Sequence, residues 1–360
     1  MKNNLKIYLC FLLAFLSFQE KKIESPFEVL GPWGQDIDVR DLNWIDNENL
    51  IFLEESSSPP FEEKAKFINI NINGITSSTN PLGRILKTNN KKILWKKKTM
   101  SGPTVIWYGE AGKEKIIAES QTDIKKEEVS WIHSGKLWIR GWVNDETYLL
   151  DKDFKPSKSI NENIYYLERE EIKKTNEENK TETIYENKEN NVQISNFTTD
   201  TKGNMLILET NGESSRILIL EKENEKETIL DWTKEYTIGI YGGESVGWRM
   251  NPKDPTSRKQ QFCTFENTNQ KKCFSPKENH FMQVYQWSLA ENIWINSFID
   301  VKTNKINLIK WDSINDKFET IARMDKLKNL SISPNKRKIA VVSTTHKQHW
   351  NWDIFVLNLE

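Results

Sequence analysis

The chain has 360 residues, of which 29% are charged and 37% hydrophobic, with 14 Trp and a formal net charge of −1. That many tryptophans exclude a disordered chain, which is poor in aromatics. A balanced charge gives no basis for a nucleic-acid partner, which announces itself by a basic surplus.

Lys2 and Lys6 precede an apolar run, Ile7 to Phe18, and polar residues follow from Gln19. This is the form of a secretory signal peptide, expected over residues 1–19, with the folded domain over 20–360. The run is too short to span a bilayer, and no other segment is apolar enough to be a transmembrane segment. Cys10 lies inside the run rather than at its end, so lipid anchoring there is not expected. Pro26-Phe27-Glu28-Val29-Leu30 reads as a spare strand ahead of the first repeat.

From residue 43 onward one pattern recurs: a short apolar strand, a polar turn, then a second apolar strand. Its first apolar residues after the turn are Leu50, Ile93, Leu137, Met205, Val246, Ile293 and Ile339. The spacings are 43, 44, 68, 41, 47 and 46 residues. Five of the six match one four-stranded propeller blade, roughly 40–50 residues. The expectation is an all-β chain folded as a single seven-bladed β-propeller, or six-bladed if the weak Val246 repeat is discounted. The long interval contains a Glu/Lys/Asn run, read as a charged insertion at about 168–191 in a solvated loop. Trp95, Trp107, Trp138, Trp142, Trp294 and Trp311 fall on second or third strands and are assigned to the layers between blades.

Cys263 and Cys273 flank a turn symmetrically, as opposed residues on a hairpin do. In an exported chain they are expected to form a structural disulfide. The irregular segments 54–66, 96–103, 251–258 and 344–352 all join a second strand to a third. They share one face of the disc with the loops that enter each first strand, which we call the B–C/D–A face. Candidate binding residues there are His346, His349, Trp350 and Trp352, with Arg249 and Arg258 as possible anion holders. His346 and His349 could ligate a metal with Asp353, but no further convergent ligand or second shell can be identified in the sequence, so no metal site and no cofactor are expected. Gly-rich phosphate loops, G-x-S-x-G and HExxH are not found in the sequence.

Ser333-Pro334-Asn335-Lys336-Arg337-Lys338-Ile339-Ala340, followed by Asp353-Ile354-Phe355-Val356-Leu357-Asn358-Leu359, resembles the repeat of TolB-like β-propellers. That family has Asp-Gly after the proline, where Asn335 and Lys336 stand here. The resemblance covers about thirty residues and implies the fold, with protein–protein contacts at the bacterial cell envelope. The last repeat supplies three strands, so Pro26–Leu30 is expected to close the ring as its outer strand. The functional expectation is a non-enzymatic binding or scaffold propeller: an exported, periplasmic or cell-envelope monomer contacting a protein or glycan partner through its B–C/D–A face. The alternative is an envelope hydrolase or lyase acting on glycan or peptide, with carboxylates or His133 near the channel.

Overall fold

In the computed structural model the described residues lie within 37–359, with internal gaps of which 121–128 and 345–351 are the longest. Every element is a β-strand, and the strands form eight antiparallel meanders. The first sheet is β1 (Ile37–Trp44), β2 (Asn49–Ser56), β3 (Glu63–Asn69) and β4 (Gly74–Thr79), each paired with the next. The second runs β5 (Arg84–Asn89) to β8 (Lys115–Ser120), and the third β9 (Val129–Trp131) to β12 (Pro156–Ser157). The fourth has three strands, β13 (Ile164–Glu168), β14 (Glu171–Thr175) and β15 (Thr181–Glu186). The fifth spans β16 (Gln193–Thr199), β17 (Met205–Thr210), β18 (Ser215–Glu221) and β19 (Glu225–Thr233). The sixth holds β20 (Tyr236–Tyr241), β21 (Gly247–Pro252), β22 (Gln261–Asn267) and β23 (Gln270–Phe274). The seventh holds β24 (His280–Ala290), β25 (Ile293–Asp300), β26 (Lys305–Asp312) and β27 (Lys317–Met324). The last holds β28 (Lys326–Ile332), β29 (Lys338–Thr344) and β30 (Asp353–Asn358).

Each meander has two apolar faces, and stacking the sheets buries both. Ile51, Leu53 and Phe67 of the first sheet meet Ile85, Ile93 and Trp95 of the second. Similar clusters join the fourth sheet to the fifth, the fifth to the sixth, the sixth to the seventh and the seventh to the last. One more joins the ends of the series: Val39, Trp44, Leu50 and Phe52 pack against Ala340, Val342, Ile354 and Val356. The Trp44 indole also donates to the Ser331 carbonyl oxygen at 2.9 Å. Where neighbouring sheets approach one another it is chiefly through first strands, β1 with β5 and β28, and β20 with β16 and β24. The first strands are therefore innermost, as in a propeller.

Four of the expected inter-sheet tryptophans are in place. Trp95, Trp294 and Trp311 are fully buried and Trp107 packs at their edge, while the side chains of Trp138 and Trp142 lie outside the described residues. The expected disulfide joins Cys263 and Cys273, register partners on β22 and β23.

Two expectations need correction. The expected repeats account for seven sheets, but the described residues form eight. The additional one is β13–β15, whose second and third strands lie inside the segment read as a solvated charged loop at 168–191. Its strands bury little: Ile172 and Tyr185 are the inward residues, set among Glu, Lys and Thr that face water. A strand that buries one side chain in five or six shows no run of apolar residues, so composition hides it. The proposed closing strand at 26–30 and the signal peptide lie outside the described residues.

The turns between first and second strands are short and self-capped. Asp46 Oδ1 accepts from the backbone of Glu48 and Asn49 at 2.8 Å, and Asp200 Oδ1 from Lys202 and Asn204 at 2.9 Å. In the last sheet Lys336 adopts φ 61°, the left-handed conformation that a glycine takes more easily. The departure from Asp-Gly there changes the residues and keeps the turn. Lys202 pairs with Glu291 and Lys336 with Glu244, each pair skipping one sheet. These side chains lace the turn end of the fifth to eighth sheets together.

Candidate functional site

The opposite end carries the longer connections. Segments 57–61, 99–103 and 345–351 each join a second strand to a third, as the repeat pattern requires. A charged cluster sits at this end, where the last, first and second sheets meet. It is built from the starts of first strands and the ends of second strands, so it faces the axis beside the loops.

Asp38 and Arg40 alternate along β1 with the core residues Val39 and Leu42. Arg40 donates from Nε to Asp38 Oδ2 at 2.8 Å and reaches Glu55 Oε2 with its terminal nitrogen at 2.6 Å. Between Arg40 and Asn43 the register against β2 slips, and Asp41 takes φ 50°. A bulge of this kind re-aims a side chain. Here it turns the Asp41 carboxylate onto the second sheet, where Arg84 grips it through two bonds of 2.6 and 2.5 Å. That two-pronged geometry suits a guanidinium and a carboxylate. The Ile85 amide adds a third bond at 3.1 Å. Asp41 is thus a clasp between sheets, and its lone pairs are committed.

Glu55 and Glu63 stand directly opposite each other on β2 and β3. Burial, then the Glu55 charge, push the Glu63 carboxyl above its usual range. Glu54 is also raised, by burial against the pull of Lys66 and Lys64. One carboxyl of the opposed pair is therefore tied to Arg40 while the other is raised by burial.

Lys328 comes from β28 and pairs with Asp38. Its Nζ lies 5.1 Å from the centroid of the Trp352 ring. Burial pushes its ammonium down to about 8. Trp352 is half-buried on the cluster that joins the first and last sheets. It is also where the chain returns from segment 345–351 to β30.

Of the binding residues expected from the sequence, Trp352 alone reaches this cluster. His346, His349, Trp350 and Arg258 lie outside the described residues, as does His133. Arg249 is described but sits elsewhere. It is on the second strand of the sixth sheet, half-buried, and donates to the Gln283 carbonyl oxygen at 2.5 Å. Asp38, Arg40, Glu55, Glu63 and Lys328 were not singled out from the sequence. Charged residues at strand ends read as ordinary solvated positions, and only the packing of the first sheet against the last and the second brings them together. Among the described residues no group of three or more His, Cys, Asp or Glu is placed to hold a metal ion. Among the described residues no helix is long and apolar enough to cross a membrane.

No protein-family model matches the chain, and no curated protein matches it. The TolB-like resemblance therefore rests on the last repeat alone. Solved structures do match over most of the chain. The β-propeller domain of the Trilobed protease from Pyrococcus furiosus shares 13% identity at TM-score 0.54, over 90% of this chain and 96% of that one. The uncomplexed acylaminoacyl peptidase of Pyrococcus horikoshii shares 10% at TM-score 0.55, over 91% of this chain and 52% of that one. An acylaminoacyl peptidase bound to Z-Gly-Gly-Phe-chloromethyl ketone shares 10% at TM-score 0.54 with the same coverage. The chain thus spans about half the length of the acylaminoacyl peptidases it resembles. At these identities the likeness is one of fold, and the fold is a β-propeller.

Proposed function

We propose that this chain is an exported binding propeller that holds a protein or glycan partner of the cell envelope at its B–C/D–A face. The observation that carries this reading is the seating of Lys328 beside Trp352, at the root of loop 345–351. An ammonium beside an indole, next to its Asp38 partner, offers a partner one cationic contact and one flat apolar contact. The segment that ends at Trp352, residues 345–351, carries His346, His349 and Trp350 in sequence. Loops on a rigid scaffold are where binding residues gather. At the other end the turns are short and laced by Lys202–Glu291 and Lys336–Glu244, which leaves less for a partner to grip. Arrays of envelope peptides and glycans test this reading. The wild-type protein is expected to retain ligands that Trp352→Ala and Lys328→Met lose and that Lys202→Ala, at the turn end, keeps. Equal loss with Lys202→Ala would remove the assignment of the face.

A second reading is a hydrolase or lyase acting on glycan or peptide. Glu55 and Glu63 favour it, because they face each other across β2 and β3 and burial raises the Glu63 carboxyl, and paired carboxyls in unlike surroundings are what acid–base catalysis uses. The peptidases whose propellers share the fold are consistent with it. Turnover of an array ligand by the wild type, lost in Glu63→Gln, would establish this reading over the first.

The finer architecture follows the same proposal. The eight sheets form one ring, and residues 26–30 add the outer strand to β28–β30. The mature chain is a periplasmic or envelope monomer freed of residues 1–19. The Cys263–Cys273 disulfide supports export, since such bonds persist in oxidising compartments.

A further inference from the structure

The interface between the sixth and seventh sheets is unlike the others. Its outer part is aromatic: Phe262 lies 4.9 Å from Trp294 and Phe274 lies 4.6 Å from Trp311, between ring centroids. Its inner part is polar. Side chains two apart on a strand share a face, so Asn296 points the same way as Trp294 and Phe298, into this interface. Asn296 is fully buried, and its register partner on β24 is Gln286, 5% exposed. Arg249 is the register partner of Phe262 and enters the same interface from the facing sheet.

These groups gather around a register break in β24 between Met282 and Gln286. The Gln283 carbonyl oxygen, freed by the break, accepts from Arg249 and from Gln286 Nε2, both at 2.5 Å. Further polar atoms here have no partner: Arg249 Nε, Gln283 Oε1, Gln286 Oε1, Trp294 Nε1, and both Asn296 Nδ2 and Oδ1. They make up half of the buried, unpartnered side-chain atoms among the described residues. Burying such atoms without partners is costly, so a site that collects them is built around something that satisfies them. No carboxylate among the described residues pairs with Arg249.

We propose that this interface is a binding site for a small carboxylate, the carboxylate group of an organic acid or of a chain end. A guanidinium without a counter-charge selects an anion, and a carboxylate has lone pairs enough for Arg249 Nε, Asn296 Nδ2 and Trp294 Nε1. Turning the Gln283 amide adds its NH2 to the donors. Arg249 and Gln283 are half-buried while Gln286 and Asn296 are sealed behind them. The carboxylate therefore enters past β24, from the axis of the ring. This site is separate from the Lys328–Trp352 cluster and stands or falls without it.

The test uses the full mature chain with sodium acetate as probe, against sodium chloride at equal ionic strength and against neutral acetamide. Acetate is expected to raise the melting temperature beyond chloride, rising with the logarithm of concentration above its Kd. Acetamide is expected to have no such effect, and Arg249→Met to abolish the response. Asn296→Asp guards against a variant that merely misfolds. It places a carboxylate opposite Arg249 from within, so it is expected to melt no lower than wild type and to have lost the acetate response. If acetate acts no more strongly than chloride, or acetamide matches it, or Asn296→Asp still responds, the proposal is wrong and the polar atoms enclose water.

Discussion

The Tyr185 hydroxyl donates to the Glu209 carboxylate at 2.6 Å, across the interface of the fourth and fifth sheets. Glu209 is fully buried, and Arg216 completes the site from Nε at 2.6 Å while also reaching Glu189 at 2.5 Å. Burial and then the hydrogen bond to Glu209 push the Tyr185 phenol up, so it stays a donor throughout the working pH range. Removing one member of a buried pair strands the other. Glu209→Ala is expected to lose about 3–5 kcal/mol of unfolding free energy by urea denaturation. Tyr185→Phe, which leaves the ion pair in place, is expected to cost only about 1–3 kcal/mol. Equal costs would mean that the charge pairing is not what holds this interface.

The Cys263–Cys273 bond closes a hairpin at the outer edge of the sixth sheet. Its loop is short, so its expected contribution is about 2–3 kcal/mol. Reduction, or replacement of both cysteines by alanine, is expected to lower the urea midpoint by that amount with the slope unchanged. A changed slope would indicate that the bond alters the compactness of the unfolded chain instead.

The binding role proposed for Lys328 carries a pH dependence. Burial lowers its folded pKa to about 8 from the model-peptide value of 10.5. Between those two values the unfolded chain binds more protons than the folded one, so this group adds stability as pH rises through that window. Its effect on an anionic ligand has the opposite sign. The ammonium is lost above about pH 8, and the wild-type affinity is expected to fall there toward the weak, pH-independent level of Lys328→Met. A wild-type affinity that is flat from pH 7 to 10 would remove Lys328 from the contact.

The outer strand proposed at residues 26–30 is tested by deleting 20–31. An uncovered β30 edge would be exposed to pairing with other chains. The deletion is expected to lower the melting temperature and promote association, whereas an unchanged midpoint would exclude the closure.

The propeller was legible because its period is carried by buried second strands. Leu50, Ile93, Met205 and Ile339 are each almost wholly buried at the head of such a strand. The sheet around Ile172 and Tyr185 was illegible because its faces are largely wetted, so its strands look like a charged loop. The sites were less legible than the fold for a related reason. Asp38, Arg40 and Glu55 read as surface charges, and Asn296 and Gln286 read as the polar positions of alternating strands. What makes them notable is the neighbour each meets across an interface, and that neighbour lies dozens or hundreds of residues away. Trp352 was found because a loop aromatic is conspicuous in the sequence itself.

The central claim is that the loop-bearing end of the ring binds a partner through Lys328 and Trp352. Its most direct test is the equilibrium affinity of an array-selected peptide or glycan for wild type and Trp352→Ala, measured by calorimetry at pH 7. We expect the substitution to weaken binding at least tenfold while leaving the urea midpoint within the range of a half-buried residue. Unchanged affinity in a folded Trp352→Ala protein would contradict the account.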